Sequence, residues 1–117
     1  MLLPISWAIL ALIHTAPAVG LVRPSLITSL YGVEADDPAF LLLHHRAALF
    51  LAVFVICIWA IFDPASRRMA SVAVAISMIS FLWLFIAGGS PPALRSIAIA
   101  DAIGLPALAY VTWRAFA

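Results

Sequence analysis

Residues 41–50 read Leu41-Leu42-Leu43-His44-His45-Arg46-Ala47-Ala48-Leu49-Phe50. Two histidines and an arginine stand together in a run otherwise suited to hydrocarbon. The run belongs to an apolar segment, residues 39–62, that exceeds the ~20 helical residues needed to cross a ~30 Å hydrocarbon core. A charged arginine inside such a core costs roughly 2.5–3.5 kcal/mol on insertion scales. Arg46 therefore needs a partner or hydration, and the residues that supply it mark the informative part of the chain.

The rest of the sequence has the same character. Of 117 residues, 67% are hydrophobic and only 9% charged, and Lys, Asn and Gln do not occur. Soluble domains carry roughly half and a quarter, respectively. Too little polar side chain is present to cover a soluble surface, so the expectation is a polytopic membrane protein forming one domain over residues 1–117. A net charge of +1 gives no electrostatic reason to expect nucleic acid or acidic substrates as partners. Cys57 is the sole cysteine, which excludes an intrachain disulfide or a CxxC pair. Lying in an apolar run, it reads as a small buried hydrophobe. Ala16-Pro17-Ala18 loosely resembles a signal cleavage site, but no basic residue precedes the apolar stretch, so the segment is expected to stay as a helix.

Four spans are predicted, at about 3–22, 39–62, 69–88 and 93–114, giving an all-α, antiparallel four-helix transmembrane bundle. In the connection 23–38, Pro24 suits the first turn of a short interfacial helix that Tyr31-Gly32 ends. Asp37-Pro38 is an N-cap followed by proline at the first helical position, which starts the second span. Asp63-Pro64 begins a tight loop, making spans two and three a hairpin. Ala70, Ala73, Ser77 and Ser80 form a small-residue stripe suited to close helix packing in lipid. On the fourth span, Ala98 and Gly104 flank Asp101 on its own side and place it on a packing face. Arg67, Arg68 and Arg114 lie on the side of both termini, against Arg23 among three acids in the long loop. The arginine bias puts both termini in the cytoplasm of a bacterial-type inner membrane. Trp7, Trp59 and Trp113 fall near that boundary, as an aromatic belt requires.

At ~1.5 Å per residue, His14, Arg46 and Asp101 all lie roughly 10–12 Å below the outer face. His44 and His45 are slightly shallower, and Arg95 is at the rim. The cytoplasmic half of the spans holds no comparable group. Arg46 and Asp101 are the natural ion pair, either fixing helix register or lining an outward-facing cavity. His14 shares a face with Trp7, Ala11 and Ala18, and Pro17 frees the carbonyl of Ile13 beside it; Pro106 does the same for Ala102 beside Asp101. On the second span, His45 shares a face with Ala48, Ala52 and Ile56 and is expected to face the bundle. His44 is expected at the boundary, bonded to headgroups or water. The candidate pocket is thus His14, His45, Arg46 and Asp101, with His44 and Arg95 peripheral. Bis-histidine haem would need His14 and His45 on facing helices, and only this one pair exists where haem bundles show several. A catalytic metal needs about three protein ligands, and adjacent histidines do not both reach one ion from a helix.

Leu30-Tyr31-Gly32 after the first span, Arg46-Ala47 early in the second and the acid in the fourth resemble the DoxX-like group of small four-helix membrane proteins. The resemblance covers most of the chain. It implies a quinone-linked or accessory role in a membrane redox complex and assigns no catalytic residue. His44-His45 matches no motif of the group.

The leading expectation is a binding or accessory subunit whose pocket takes a quinone-like molecule, with other membrane subunits or a second copy as partners in the bilayer. The alternative is a homodimeric, proton-coupled small-molecule transporter. Four short spans suit the small multidrug resistance architecture, but that family's acid in the first span is missing and His14 would stand in for it. A purely structural subunit, its polar cluster acting as packing glue, is the competing non-binding reading. An enzyme using His and Asp as acid and base ranks last.

Overall fold

A computed structural model describes residues 1–117. The elements are α1 (Leu2–Val19), α2 (Ser25–Tyr31), α3 (Pro38–Phe62), α4 (Arg67–Ala87) and α5 (Arg95–Phe116), with 3₁₀ turns at Pro64–Ser66 and Pro92–Leu94. Four helices, all but α2, are long and apolar enough to cross a membrane. The longest dimension, 46 Å, matches a bilayer of ~40–45 Å including headgroups. The architecture is that of a small multi-pass membrane protein.

Local chemistry sets the helix ends. Asp37 caps α3, its carboxylate accepting from the Ala39 amide at 2.9 Å with Pro38 at the first position. Asp63 accepts from the Ala65 amide at 3.1 Å and turns the chain toward α4. Gly32 ends α2 at φ 70°, and its amide donates to Thr28 O at 2.9 Å. A left-handed backbone of this kind suits glycine. α1 stops at Val19, three residues before the expected end at 22. Pro17 withholds an amide from its last turn and Gly20 follows with low helix propensity, so residues 20–22 form a turn instead.

α1 is the central helix, packing along both α3 and α5, while α4 packs against α5. Its buried stripe of Trp7, Leu10, Ala11, His14 and Ala18 follows the three- and four-residue spacing of one helix face. The main core joins Trp7, Leu10, Cys57, Val74, Met78 and Leu108 in the half of the bundle away from α2. Ile27, Tyr31 and Ile97 form a smaller cluster that holds α2 across the other end. Large apolar side chains such as Leu12, Leu42, Phe62, Ile76, Trp83 and Ile103 are exposed around the outside, as lipid-facing surfaces are.

Three expectations need correction. Trp7 is fully buried rather than part of a boundary belt, because it lies on the stripe that α1 turns inward; Trp59 and Trp113 are indeed exposed. α3 and α4 are joined by a tight turn but meet only sparingly beyond it. The small stripe on α4 accordingly does not seat α3: Ala70 is buried in the core, whereas Ala73, Ser77 and Ser80 line an open groove between the two helices. Close approach occurs instead at Gly104, where a Cβ would overlap the Ile13 side chain and come within 2.8 Å of Met78 Cε. Both neighbours are flexible side-chain ends, so Gly104→Ala should lower the detergent thermal midpoint only slightly. Gly104→Leu should lower it clearly, consistent with overpacking costs of ~1–3 kcal/mol; equal midpoints for both variants would remove this three-helix contact.

Candidate functional site

α1, α2, α3 and α5 enclose a cavity of about 140 Å³ at the α2 end of the bundle. Its walls include Ile13, His14 and Pro17 of α1, Leu30 of α2, Phe50 of α3 and Asp101 of α5. Pro17 lacks an amide hydrogen, so the Ile13 carbonyl has no helical donor at this wall. Pro106 has the same effect on Ala102, but Ala102 is exposed, and its freed carbonyl belongs to the outer surface rather than the cavity.

His14 is 1% exposed. Its Nδ1–H donates to Leu10 O at 2.8 Å, since a carbonyl can only accept, and this fixes the tautomer. Nε2 is left as an acceptor with no partner in the chain. The imidazole leans on Phe50, with ring centroids 5.8 Å apart. Asp101, 7% exposed, lines the same cavity between buried Ala98 and Gly104, the packing face expected for it. An unpartnered buried polar atom costs ~1–3 kcal/mol, so the His14 acceptor is a place where a guest's hydrogen bond would be repaid; the Tyr31 hydroxyl and Trp7 Nε1 also lack partners, but neither residue lines the cavity.

Arg46 does not form the expected ion pair with Asp101. Its guanidinium lies over three rings instead, with the carbon 4.8 Å from the Phe50 centroid, 5.2 Å from Phe81 and 5.5 Å from Tyr31. Ring faces within ~6 Å attract a cation, by ~2 kcal/mol or more where water is excluded, so three of them offset much of the cost of placing Arg46 in a span. The arrangement ties α3 to α2 and α4. Phe50 separates Arg46 from the cavity: Arg46 opens onto the α3–α4 groove of about 380 Å³, and Phe50 lines both spaces.

Tyr31, outside the spans, reads in the sequence as a helix end and as part of the Leu30-Tyr31-Gly32 motif, with no role at a site. Burial pushes its phenol above the ordinary value, Arg46 pulls it back and Asp101 pushes it further up. The hydroxyl therefore stays protonated. Its place in Leu30-Tyr31-Gly32 was the available signal.

The histidine doublet is reversed from expectation. The buried face of α3 is Ala47, Phe50, Cys57 and Ala60. That phase leaves His45 exposed and turns His44 inward. His44 Nε2–H donates to Leu21 O at 2.9 Å, satisfying a carbonyl released where α1 unwinds. His44 thus closes a helix end rather than meeting headgroups, and it does not line the cavity. Arg95 is exposed and also lies outside it. No group of three or more histidine, cysteine or acidic side chains is arranged to hold a metal ion. No protein family, curated protein or solved structure matches this chain.

His44→Leu should cost ~1–3 kcal/mol, because it strands the Leu21 carbonyl. His45→Leu should stay within ~0.5 kcal/mol, as exposed substitutions usually do. Thermal unfolding of both variants in one detergent checks the order, and a larger loss for His45→Leu would put the doublet back in its expected phase.

Proposed function

We propose that the chain is an intramembrane binding subunit for an apolar molecule with a ring-sized, oxygen-bearing head, a quinone being the chemistry that fits best. The observation that carries this reading is the His14 acceptor, buried, unpartnered and set beside Asp101 on one small cavity. A volume of about 140 Å³ suits one ring, since an engineered apolar cavity of roughly 150 Å³ holds benzene. The walls are mostly apolar with a few polar groups, the usual make-up of a small-molecule site. A quinol hydroxyl has an acceptor in His14 Nε2. The groove across Phe50 is lined by Leu49, Val53, Ile76 and Leu84 and suits an aliphatic tail.

The resemblance to the DoxX-like group supports the same reading. The residues that carry it, Leu30, Tyr31, Arg46 and Asp101, come from three separate elements and gather around this end of the bundle. An accessory role in a membrane redox complex follows from that resemblance. The arginine bias supports an orientation with the termini in the cytoplasm and the cavity in the outer leaflet of an inner membrane.

Purification in mild detergent, followed by solvent extraction and mass spectrometry, tests the reading. The full chain should carry a ring-bearing, oxygen-containing lipid or take one up from quinone-supplemented micelles. Asp101→Asn and His14→Leu should each reduce occupancy about ten-fold, the effect of losing ~1.4 kcal/mol at a desolvated site. A folded protein that takes up no quinone would end the proposal.

A further inference from the structure

The opposite end of the bundle holds a concavity lined by arginines. Arg67 and Arg68 at the start of α4 and Arg114 near the end of α5 line one concavity of about 480 Å³, with Leu3, Pro64 and Ala65 beside them. Each guanidinium is held by a neutral acceptor. Arg67 donates from Nε to Ala60 O at 2.8 Å and from Nη2 to Ile61 O at 3.0 Å. Arg68 donates from Nε to Ala115 O at 3.1 Å, and Arg114 from Nη1 to the Tyr110 hydroxyl at 2.9 Å. These bonds orient the side chains and engage only part of each five-hydrogen fork. Arg68 also lies over the Phe116 ring at 5.7 Å and Arg114 over the Tyr110 ring at 5.8 Å, contacts that leave all three side chains without an anionic partner.

Asp63, the one acid of the adjoining turn, does not neutralise them. One carboxylate oxygen accepts from the Ala65 amide at 3.1 Å and the other from Trp59 Nε1 at 3.1 Å. No carboxylate comes within ion-pairing distance of any of the three arginines. Capping of helix ends explains the bonded nitrogens of Arg67 and Arg68, and a side-chain bond to Tyr110 that of Arg114; neither explains why three partly engaged cationic forks line one hollow at this end of the bundle.

We infer that this hollow is a binding site for an anionic phospholipid headgroup, a phosphodiester without a cationic group of its own. The guanidinium fork matches phosphate oxygens bidentately, and basic pockets between spans are the usual form of such recognition. Leu3 offers an apolar surface for the first carbons of an acyl chain. The site is independent of the quinone reading and of which membrane face it occupies.

The test is native mass spectrometry of the full chain, released from detergent containing equal amounts of phosphatidylglycerol and phosphatidylcholine with the same acyl chains. The wild-type chain should retain phosphatidylglycerol about ten-fold over phosphatidylcholine, given a contribution per arginine that compounds across the site. The double variant Arg68→Gln, Arg114→Gln should abolish the preference, while Arg23→Gln, Arg95→Gln at the far end should keep it. If the double variant loses its helical circular dichroism, Arg114→Gln alone decides, because Arg114 bonds only Tyr110. Equal retention of the two lipids by the wild type, or an unchanged preference in a folded Arg68/Arg114 variant, overturns the inference. Displacement of phosphatidylglycerol by inorganic phosphate also overturns it, since the site would then belong to a soluble anion.

Discussion

Hydrocarbon neither donates nor accepts hydrogen bonds, so every polar group carried into the spans must find its partner within the chain. Most of the unusual placements in this protein answer that requirement. His44 reaches a carbonyl freed at the end of α1. Ser71, Ser80 and Thr15 bond back to their own helices. Arg46 exchanges water for three aromatic faces. Against this background three buried atoms have no partner, Trp7 Nε1 in the main core and the His14 nitrogen and Tyr31 hydroxyl toward the α2 end, and of these only His14 lines the cavity.

The packing that produces this end is uneven by design of the sequence. α1 runs through the middle with a continuous inward stripe, and Gly104 lets α5 and α4 close on it from one side. Aromatic residues mark the α2 end. Phe50 and Phe81 line the groove between α3 and α4 together with Ala73 and Ser77, and the guanidinium of Arg46 lies over both rings. The cavity, the groove and the Arg46 cage share one ring, that of Phe50.

The spans, their number and the short helix between the first two were legible because apolar length and the signals Asp37-Pro38, Asp63-Pro64 and Tyr31-Gly32 act locally. The burial of Asp101 was legible too, since Ala98 and Gly104 make a face where only protein fits. Helix phase on α3 was not. In lipid the outward face is as apolar as the inward one, so the hydrophobic pattern that orients a soluble helix is nearly flat; Ala48 and Ala52 looked as suitable for the interior as Ala47 and Ala60. That ambiguity turned His45 the wrong way. The pairing of Arg46 with Asp101 failed for a related reason: matching depth says nothing about azimuth, and rings compete with a carboxylate for a cation where no water weakens them.

The groove on the far side of Phe50 also bears on what kind of molecule could lie in it. Its rim residues Leu49, Ile76 and Leu84 are exposed to the surroundings of the bundle, so the approach is sideways, from the acyl-chain region. Partition into the bilayer then fixes the local concentration at the entrance, and solubility in water drops out of the affinity that matters. A molecule of modest intrinsic affinity would fill such a site because the membrane has already gathered it.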